Sequence, residues 1–231
     1  MGEPQILWFR RDLRLSDQAA LIAAAGQGPV IPVYVLDDET PRHRRMGGAS
    51  RWWLHHSLGA LDARLREKGS RLILRRGNSA TILADIAHKA GAGAIHCLRH
   101  YEPWWRNSER ALREALSNRV DLIRHDGNYL MPPGSVTTGS GDPYKIYTPF
   151  WKALNEHMPP PEPQRVPQSI DAPGQWPVSD RLEDWHLLPT DPDWATGFAE
   201  LWTPGEEGAR RNVERFVDLA TGYDQGRNLP S

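Results

Sequence analysis

The sequence holds one cysteine, Cys97, and no apolar run of the ~20 residues that a membrane-spanning helix requires. A single thiol closes no internal disulfide, so packing alone is expected to hold the fold, and a reducing cytoplasm is the expected compartment. Cys97 lies within the apolar run "AIHCL" that starts at Ala94, which reads as a buried small hydrophobe rather than a reactive thiol. An excess of charge of either sign is also missing: 28 Lys+Arg against 29 Asp+Glu leave a formal net charge of -1. That balance predicts little nucleic-acid binding by the chain as a whole and confines any basic contact surface to a local patch. No secretory leader is expected, because Met1 leads within a few residues into a strand followed by arginines.

Several chemistry-bearing patterns are lacking as well. There is no G-x-G-x-x-G after the first apolar run and no Gly-rich loop ending in Lys-Ser/Thr, which argues against the common dinucleotide and nucleoside-triphosphate modes. Ser57 and Ser108 have no G-x-S-x-G context. The pairs His55/His56 and His96/His100 do not have a spacing that strand or loop geometry would turn into metal ligands. No metal is expected, and no internal repeat is visible.

What remains is 231 residues, 39% hydrophobic and 25% charged, enough for a substantial core. Short apolar runs "QILWF", "VIPVYVL", "RLILR", "AIHCL" and "VDLIR", starting at Gln5, Val30, Arg71, Ala94 and Val120, suit strands buried on both faces. Helical segments separate them, expected over 17–25, 50–68, 79–90 and 107–116. Ser16 or Asp17, Ser50 and Asn78 are the candidate N-caps, and Gly26, Gly69 and Gly91 the candidate helix stops. Five strands alternating with four helices predict a doubly wound, parallel α/β domain over residues 1–131.

Beyond Asn128 the composition shifts. Turn residues cluster at 132–134 and 139–143, and a helix is expected over 148–157. Between Met158 and Asp193 stand nine of the 20 prolines, which favours an extended connector, assigned to 132–195. Trp176 and Trp185 are unusual in a flexible spacer and predict that the connector lies pinned against the α/β domain. In the last segment, 196–231, Thr203 and Glu206 suggest a capping box opening an amphipathic helix with Ala209, Val213, Phe216, Val217 and Ala220 as its apolar stripe.

In an open α/β sheet, ligands bind beyond the carboxyl ends of the strands where strand order reverses. The two loops expected there are "RRDLRLSD" and "RHYEPWWRNSER". Arg10, Arg11 and Arg14 fit a solvated loop, with Asp12 paired to one of them, as well as they fit a binding site. Trp104 and Trp105 are adjacent indoles that cannot both face one core, so one is expected to stack on a planar ligand or on another part of the chain.

The segments "WFRRDLRLSD" from Trp8, "MGGASRWWLHHSL" from Met46, "YEPWWRNSERAL" from Tyr101, "MPPGSVTTGSGDPYKIYTPFWKAL" from Met131, "LWTPGEEGA" from Leu201 and "GYDQGRNLP" from Gly222 resemble the DNA photolyase/cryptochrome family. They follow the family's order and span essentially the whole chain. The resemblance implies an N-terminal α/β antenna domain, a long connector and the start of a helical domain that holds FAD. It implies light-driven, flavin-dependent repair of pyrimidine dimers in DNA, with the dimer flipped out of the duplex, and no membrane partner. In the family, the segment around Tyr223 is followed by a Thr-Ser-x-Leu-Ser-Pro loop that grips the flavin phosphates, whereas this sequence stops at Ser231. The expectation is therefore an incomplete FAD site, with Tyr223 as the one match, no catalytic residue, and no dimer repair by the chain alone.

For the antenna chromophore, folate or deazaflavin, the resemblance points to Arg51 and Glu102 as pocket-lining residues. Trp104 and Trp105 stand where folate-binding members have an Asn-Glu pair, which departs from that folate mode. Arg51 fits a pairing with a carboxylate of its own helix almost as well. An antenna-type or cryptochrome-like module without lyase activity is the alternative implied. A nucleotide-binding relative of the same architecture is a third possibility. The helix opening at Pro204 is expected to be loosely held.

Overall fold

A computed structural model describes residues 2–38, 45–117 and 119–227. The last three residues of the "GYDQGRNLP" segment, at 228–230, lie outside them.

Five strands form one parallel sheet: β1 (Gln5–Phe9), β2 (Val30–Leu36), β3 (Ile73–Arg76), β4 (Ala94–Leu98) and β5 (Asp121–His125), in the order β3-β2-β1-β4-β5. Gln5 of β1 stands opposite Val30 of β2 on one side and Ala94 of β4 on the other, so strand order reverses on either side of β1. The helices α1 (Ala19–Gln27), α2 (Gly48–Glu67), α3 (Ser79–Ala90) and α4 (Pro103–Leu116) alternate with the strands. This is the doubly wound α/β architecture that the alternating runs predict.

The two-residue period of a strand splits β1 between two cores. Leu7 and Phe9 pack with Leu21, Leu58 and Leu65 of α1 and α2. Ile6 and Trp8 pack with Leu83 and Ile86 of α3 and with Leu112 of α4. All five β1 residues are buried, which explains why the strand reads as a continuous apolar run rather than an alternating one. Cys97 is fully buried in the second core, and burial pushes its thiol up to about 12, so it packs and does not react.

The helix boundaries differ from expectation where side chains have other work. Asn78 caps α3 as expected, accepting a hydrogen bond from the Thr81 amide at 3.1 Å, and Gly91 closes it in the left-handed region. Neither Ser16 nor Asp17 caps α1: Gln18 precedes it, and its side-chain amide donates to Asp12 instead. Gly47, not Ser50, precedes α2, and Gly26 lies inside α1. Helix α4 begins four residues earlier than expected because Pro103, with its φ preset, occupies the first turn. Trp104 and Trp105 are thus helical residues, not loop residues.

The proline-rich connector is extended and pinned, as its tryptophans suggest. The Val30 amide donates to the Asp171 carbonyl at 2.9 Å, and the Ile170 amide to the Lys68 carbonyl at 2.8 Å. Along the outer edge of β3, the Asp180 amide donates to the Leu74 carbonyl at 2.7 Å and the Leu74 amide donates to Ser179 Oγ at 2.9 Å, so the connector covers an otherwise open sheet edge. Trp185 is buried against Tyr34, and the Arg71 guanidinium lies 4.8 Å from the Trp176 ring centre. The remaining helices among the described residues are α5 (Tyr147–Asn155), α6 (Phe198–Leu201), α7 (Glu206–Leu219) and the single turn α8 (Tyr223–Gly226), with 3-10 turns at Glu183–Trp185 and Ala220–Gly222.

Helix α7 does not open with the expected capping box. Gly205 precedes it at φ +105, a conformation that favours glycine, and a Cβ there would come within 2.8 Å of the Ala60 Cβ on α2. Glu206 reaches outward, accepting hydrogen bonds from the Leu15 and Ser16 amides, each at 2.9 Å. Beyond this anchorage Val213, Phe216, Val217 and Leu219 are more than half exposed.

Candidate functional site

At the carboxyl end of β1 the three arginines do three different jobs. Arg10 is buried: its Nη1 pairs with Glu109 of α4 at 2.8 Å, its Nη2 donates to the Leu98 carbonyl, and its guanidinium lies 4.6 Å and 5.2 Å from the Trp8 and Trp105 ring centres. Glu109 also receives Arg124 of β5 at 3.3 Å. A charge removed from water survives only when paired and hydrogen-bonded, and here one carboxylate serves two guanidiniums between facing indoles. Arg14 ties the loop together by donating to the carbonyls of Ser16, Asp17 and Gly127. Arg11 alone is exposed, pairing with Glu102 at 2.8 Å, its guanidinium 5.9 Å from the Trp104 ring centre.

Asp12 is not paired to an arginine side chain. Its carboxylate accepts from Gln18 Nε2 at 2.8 Å, faces His100 Nε2 at 3.3 Å and accepts the Arg10 amide at 3.1 Å. Burial pushes its pKa up, but the hydrogen bonds from His100 and Gln18 and the charges of His100 and Arg10 outweigh that, leaving it below the ordinary carboxylate value. The solvated-loop reading of "RRDLRLSD" therefore holds for Arg11 and fails for Arg10 and Asp12.

Arg51 does not pair with a carboxylate of its own helix. It bridges the end of β2, pairing with Asp38 at 2.8 Å and donating from Nε to the Met46 carbonyl at 3.0 Å. Tyr34 of β2 is buried; burial and the Asp38 charge raise its pKa, while Arg11 and Arg51 act in the opposite sense. The Arg11–Glu102 pair holds Glu102 beside the carboxyl end of β1. Of the two indoles, Trp105 packs on the core, edge-on to Trp8, whereas Trp104 stands at the rim over Arg11.

Tyr223, the candidate FAD contact, is half exposed on α8, its ring edge-on to Phe216 at 5.8 Å. Two of the histidine pairings are structural. His96, fully buried, stacks on His125 with an Nδ1···Nε2 distance of 3.0 Å, and burial together with the neighbouring His125 lowers its pKa to about 4. His55 and His56 meet only edge to face, and no group of three or more His, Cys, Asp or Glu able to hold a metal ion occurs among the described residues.

Sequence reasoning missed Glu109 and Gln18, and it gave Glu206 a capping role that it does not take. Glu109 did carry a signal: it stands three and seven residues before Leu112 and Leu116, an acid on the apolar stripe of α4 that must find a cation. Glu206 carried none, because its partners are backbone amides 191 and 190 residues away.

The comparisons with known proteins bear on the chain as a whole. The model of the DNA photolyase family matches residues 5–168. A deoxyribodipyrimidine photo-lyase of Agrobacterium fabrum is 44% identical over 231 residues, covering 99% of this chain and 48% of that protein. Cryptochrome-1 of Arabidopsis thaliana is 32% identical over 222 residues, covering 94% of this chain and 32% of that one. The crystal structure of a bacterial class III photolyase from Agrobacterium tumefaciens superposes with a TM-score of 0.92 at 43% identity, covering 100% of this chain and 48% of that chain. The chain thus spans about half the length of the photolyases it matches. No helix among the described residues is long and apolar enough to cross a membrane. A family match over most of the chain, on a doubly wound sheet whose strand ends carry the motif residues, establishes that this chain belongs to the DNA photolyase family.

Proposed function

We propose that this chain forms the light-harvesting α/β portion of a deoxyribodipyrimidine photolyase, which repairs pyrimidine dimers in DNA with light and reduced flavin. The observation that carries the reading is the likeness to the class III photolyase, which runs through the sheet, the connector and the terminal helices alike. On this reading residues 1–131 are the antenna domain, 132–195 the connector, and 196–231 the opening of a helical FAD-binding domain, in a cytoplasmic protein. Trp104 would hold an antenna chromophore by stacking, with Trp105 fixing its position from beneath. Arg51 and Glu102 would orient the polar ring edges. A folate or deazaflavin bound there supplies absorption in the near-ultraviolet or blue. With Tyr223 as its one candidate FAD contact, the chain alone repairs no dimers.

The test is an absorption and fluorescence titration of the purified chain with a reduced folate, a deazaflavin and FAD, followed by a thymine-dimer assay under light. Binding of one antenna chromophore, lost in Arg51→Ala and Trp104→Ala, supports the reading; absence of both overturns it. Light-dependent loss of dimers with this chain alone would overturn its inactivity. A cryptochrome-like module without lyase activity is the second reading, supported by the likeness to Cryptochrome-1, which covers 94% of this chain and 32% of that protein. It gains if the protein whose α/β portion this is binds chromophore yet leaves dimers intact.

A further inference from the structure

Helices α3 and α4 lie side by side over the second core, where Leu83, Ile86 and Leu112 are buried and fill the space against the sheet. Toward the C-terminal ends of the two helices the side chains shrink. Ala84 and Ala87, three apart and so on one face of α3, and Ala115 of α4 line a cavity of about 280 Å³, whose remaining apolar wall is Leu116 and Val120. That wall is continuous with the core, since Ala87 and Leu116 belong to it and Ala84 and Val120 pack against it. The lining residues lead into β4 and β5. The cavity therefore lies at the amino ends of these strands, at the opposite end of the sheet from Arg11 and Trp104.

The polar groups at its mouth are donors. His88 and Arg119, both exposed, stand there beside the Ser117 hydroxyl, and no carboxylate is among the lining residues. Of the acids adjoining in sequence, Asp85 is held by Lys89 at 2.9 Å, and Glu114 and Asp121 are exposed outside the lining. The last carbonyls of both helices are occupied as well. The Gly91 and Ala92 amides donate to the His88 and Ala87 carbonyls at 3.3 Å and 2.9 Å, and the Ser117 and Arg119 amides to those of Glu114 and Leu116 at 3.3 Å and 3.1 Å. An apolar pocket with a guanidinium at its mouth suits a ligand that has an apolar body and a carboxylate, which arginine grips with two parallel N–H donors. A dry apolar cavity of about 150 Å³ already holds a benzene ring, so one ring with a short acidic tail fits the larger space here.

We propose that the cavity between the C-terminal ends of α3 and α4 binds a small apolar monocarboxylate, with its body against Ala84, Ala87 and Ala115 and its carboxylate on Arg119 and His88. The hydrogen bond from the Arg119 amide to the Leu116 carbonyl fixes the arginine backbone at the mouth. A ligand held there bridges the two helices and binds the folded chain alone, so it stabilises their packing. The site shares no residue with the chromophore rim or with the Tyr223 segment, and it depends on neither reading of the chain's function.

Isothermal titration of the 231-residue chain with phenylacetate, and with neutral phenylacetamide as its counterpart, tests the assignment. Phenylacetate is expected to saturate with a Kd on the order of 1 mM, the range open to so small a ligand. Phenylacetamide should bind roughly five- to tenfold more weakly, because it lacks the charge that the half-open mouth recognises. Arg119→Gln should bring the acid down to the level of the amide and leave the amide unchanged. Ala115→Leu and Ala115→Gln fill the cavity from its exposed side with good helix formers, and each should abolish binding of both ligands at an unchanged Tm. No saturable binding up to about 10 mM, equal affinity for acid and amide, or binding that survives both Ala115 variants overturns the proposal. So does binding that is lost in Arg11→Gln and kept in Arg119→Gln, which would place the acid at the chromophore rim instead. Because neither probe is a chromophore or a nucleic acid, failure here leaves the photolyase reading standing, and failure of chromophore binding leaves this one standing.

Discussion

Two regions of this protein treat apolar side chains in opposite ways. In β1 and β2 every residue is buried, and the sheet divides its side chains between two cores. In α7 the only buried residue is Gly208, while Val213, Phe216 and Val217, at helical spacing, stand in solvent. Both regions are apolar by sequence, β1 and β2 as continuous runs and α7 as a stripe at helical spacing. Periodicity therefore reports that a face wants a partner, and only the rest of the chain decides whether the partner is present. The polar anchors differ in the same sense. Arg10–Glu109 is sealed under two indoles, whereas Glu206 reaches across to two amides from the start of an otherwise loose helix.

The comparison breaks most sharply at Glu109. Glu109→Ala would leave the Arg10 and Arg124 guanidiniums without their shared carboxylate, and loss of one partner of a buried pair costs about 3–5 kcal/mol. A urea midpoint little changed from the parent would mean that water reaches Arg10 and that the network is not sealed. Arg124→Ala, at the half-exposed end, should cost much less.

A second test uses acidity. His96 is held neutral down to about pH 4 by burial and by His125, while in the unfolded chain it titrates near 6.5. A depressed folded pKa gives stability that is complete above about 6.5 and is lost as pH falls toward 4, since only the unfolded state takes up the proton there. His125, His55 and His56 are depressed as well, chiefly by burial, and act in the same direction. Asp12 acts below this window, because its folded pKa lies under the ordinary carboxylate value of 3.8. Denaturant midpoints should decline between pH 6.5 and 4, and His96→Gln should flatten part of that decline. An identical slope in the variant would assign the acid sensitivity to the other histidines.

Glu206 gives a smaller and local effect. It accepts two backbone hydrogen bonds, which hold its carboxyl below the ordinary value despite partial burial. Glu206→Gln removes the charge from both bonds, and hydrogen bonds to a charged group are worth about 1.5–3 kcal/mol when buried and less at this half-open site. Amide exchange in α7 should quicken while β1 and β4 keep their protection. Uniform acceleration through the sheet would show that α7 unfolds only with the whole domain.

How much of this was legible follows the same division. The five strands, their parallel order, the buried Cys97 and the pinned connector could be read because burial on both faces leaves long apolar runs and tryptophans do not stay in water. The Arg10 network was half legible: three arginines after a strand were visible, but which one turns inward depends on Glu109, a residue 99 positions away. The start of α4 was misplaced because Pro103 sits where a helix can begin as readily as a loop can end. Glu206 was read as a cap because the local motif offered that use, and a competing pair of amides on a distant loop leaves no trace in sequence. Arg51 shows the limit from the other side: its partner Asp38 lies 13 positions away, outside the helix in which a pairing was sought.

The smallest effect is the most direct measure of the contrast. Phe9 and Phe216 carry the same side chain, one fully buried in β1 and the other about half exposed on α7. Phe9→Ala removes a ring packed on all sides and should cost about 3–5 kcal/mol, from lost transfer energy plus the cavity left behind. Phe216→Ala removes an exposed ring that meets Tyr223 edge-on, and surface changes of that kind stay within about 0.5 kcal/mol. The pair should therefore differ several-fold in urea midpoint, with Phe216→Ala near the parent. A large loss at Phe216 would mean that the α7 stripe already has a partner in solution, and sedimentation of the parent chain would then have to show a species heavier than the monomer.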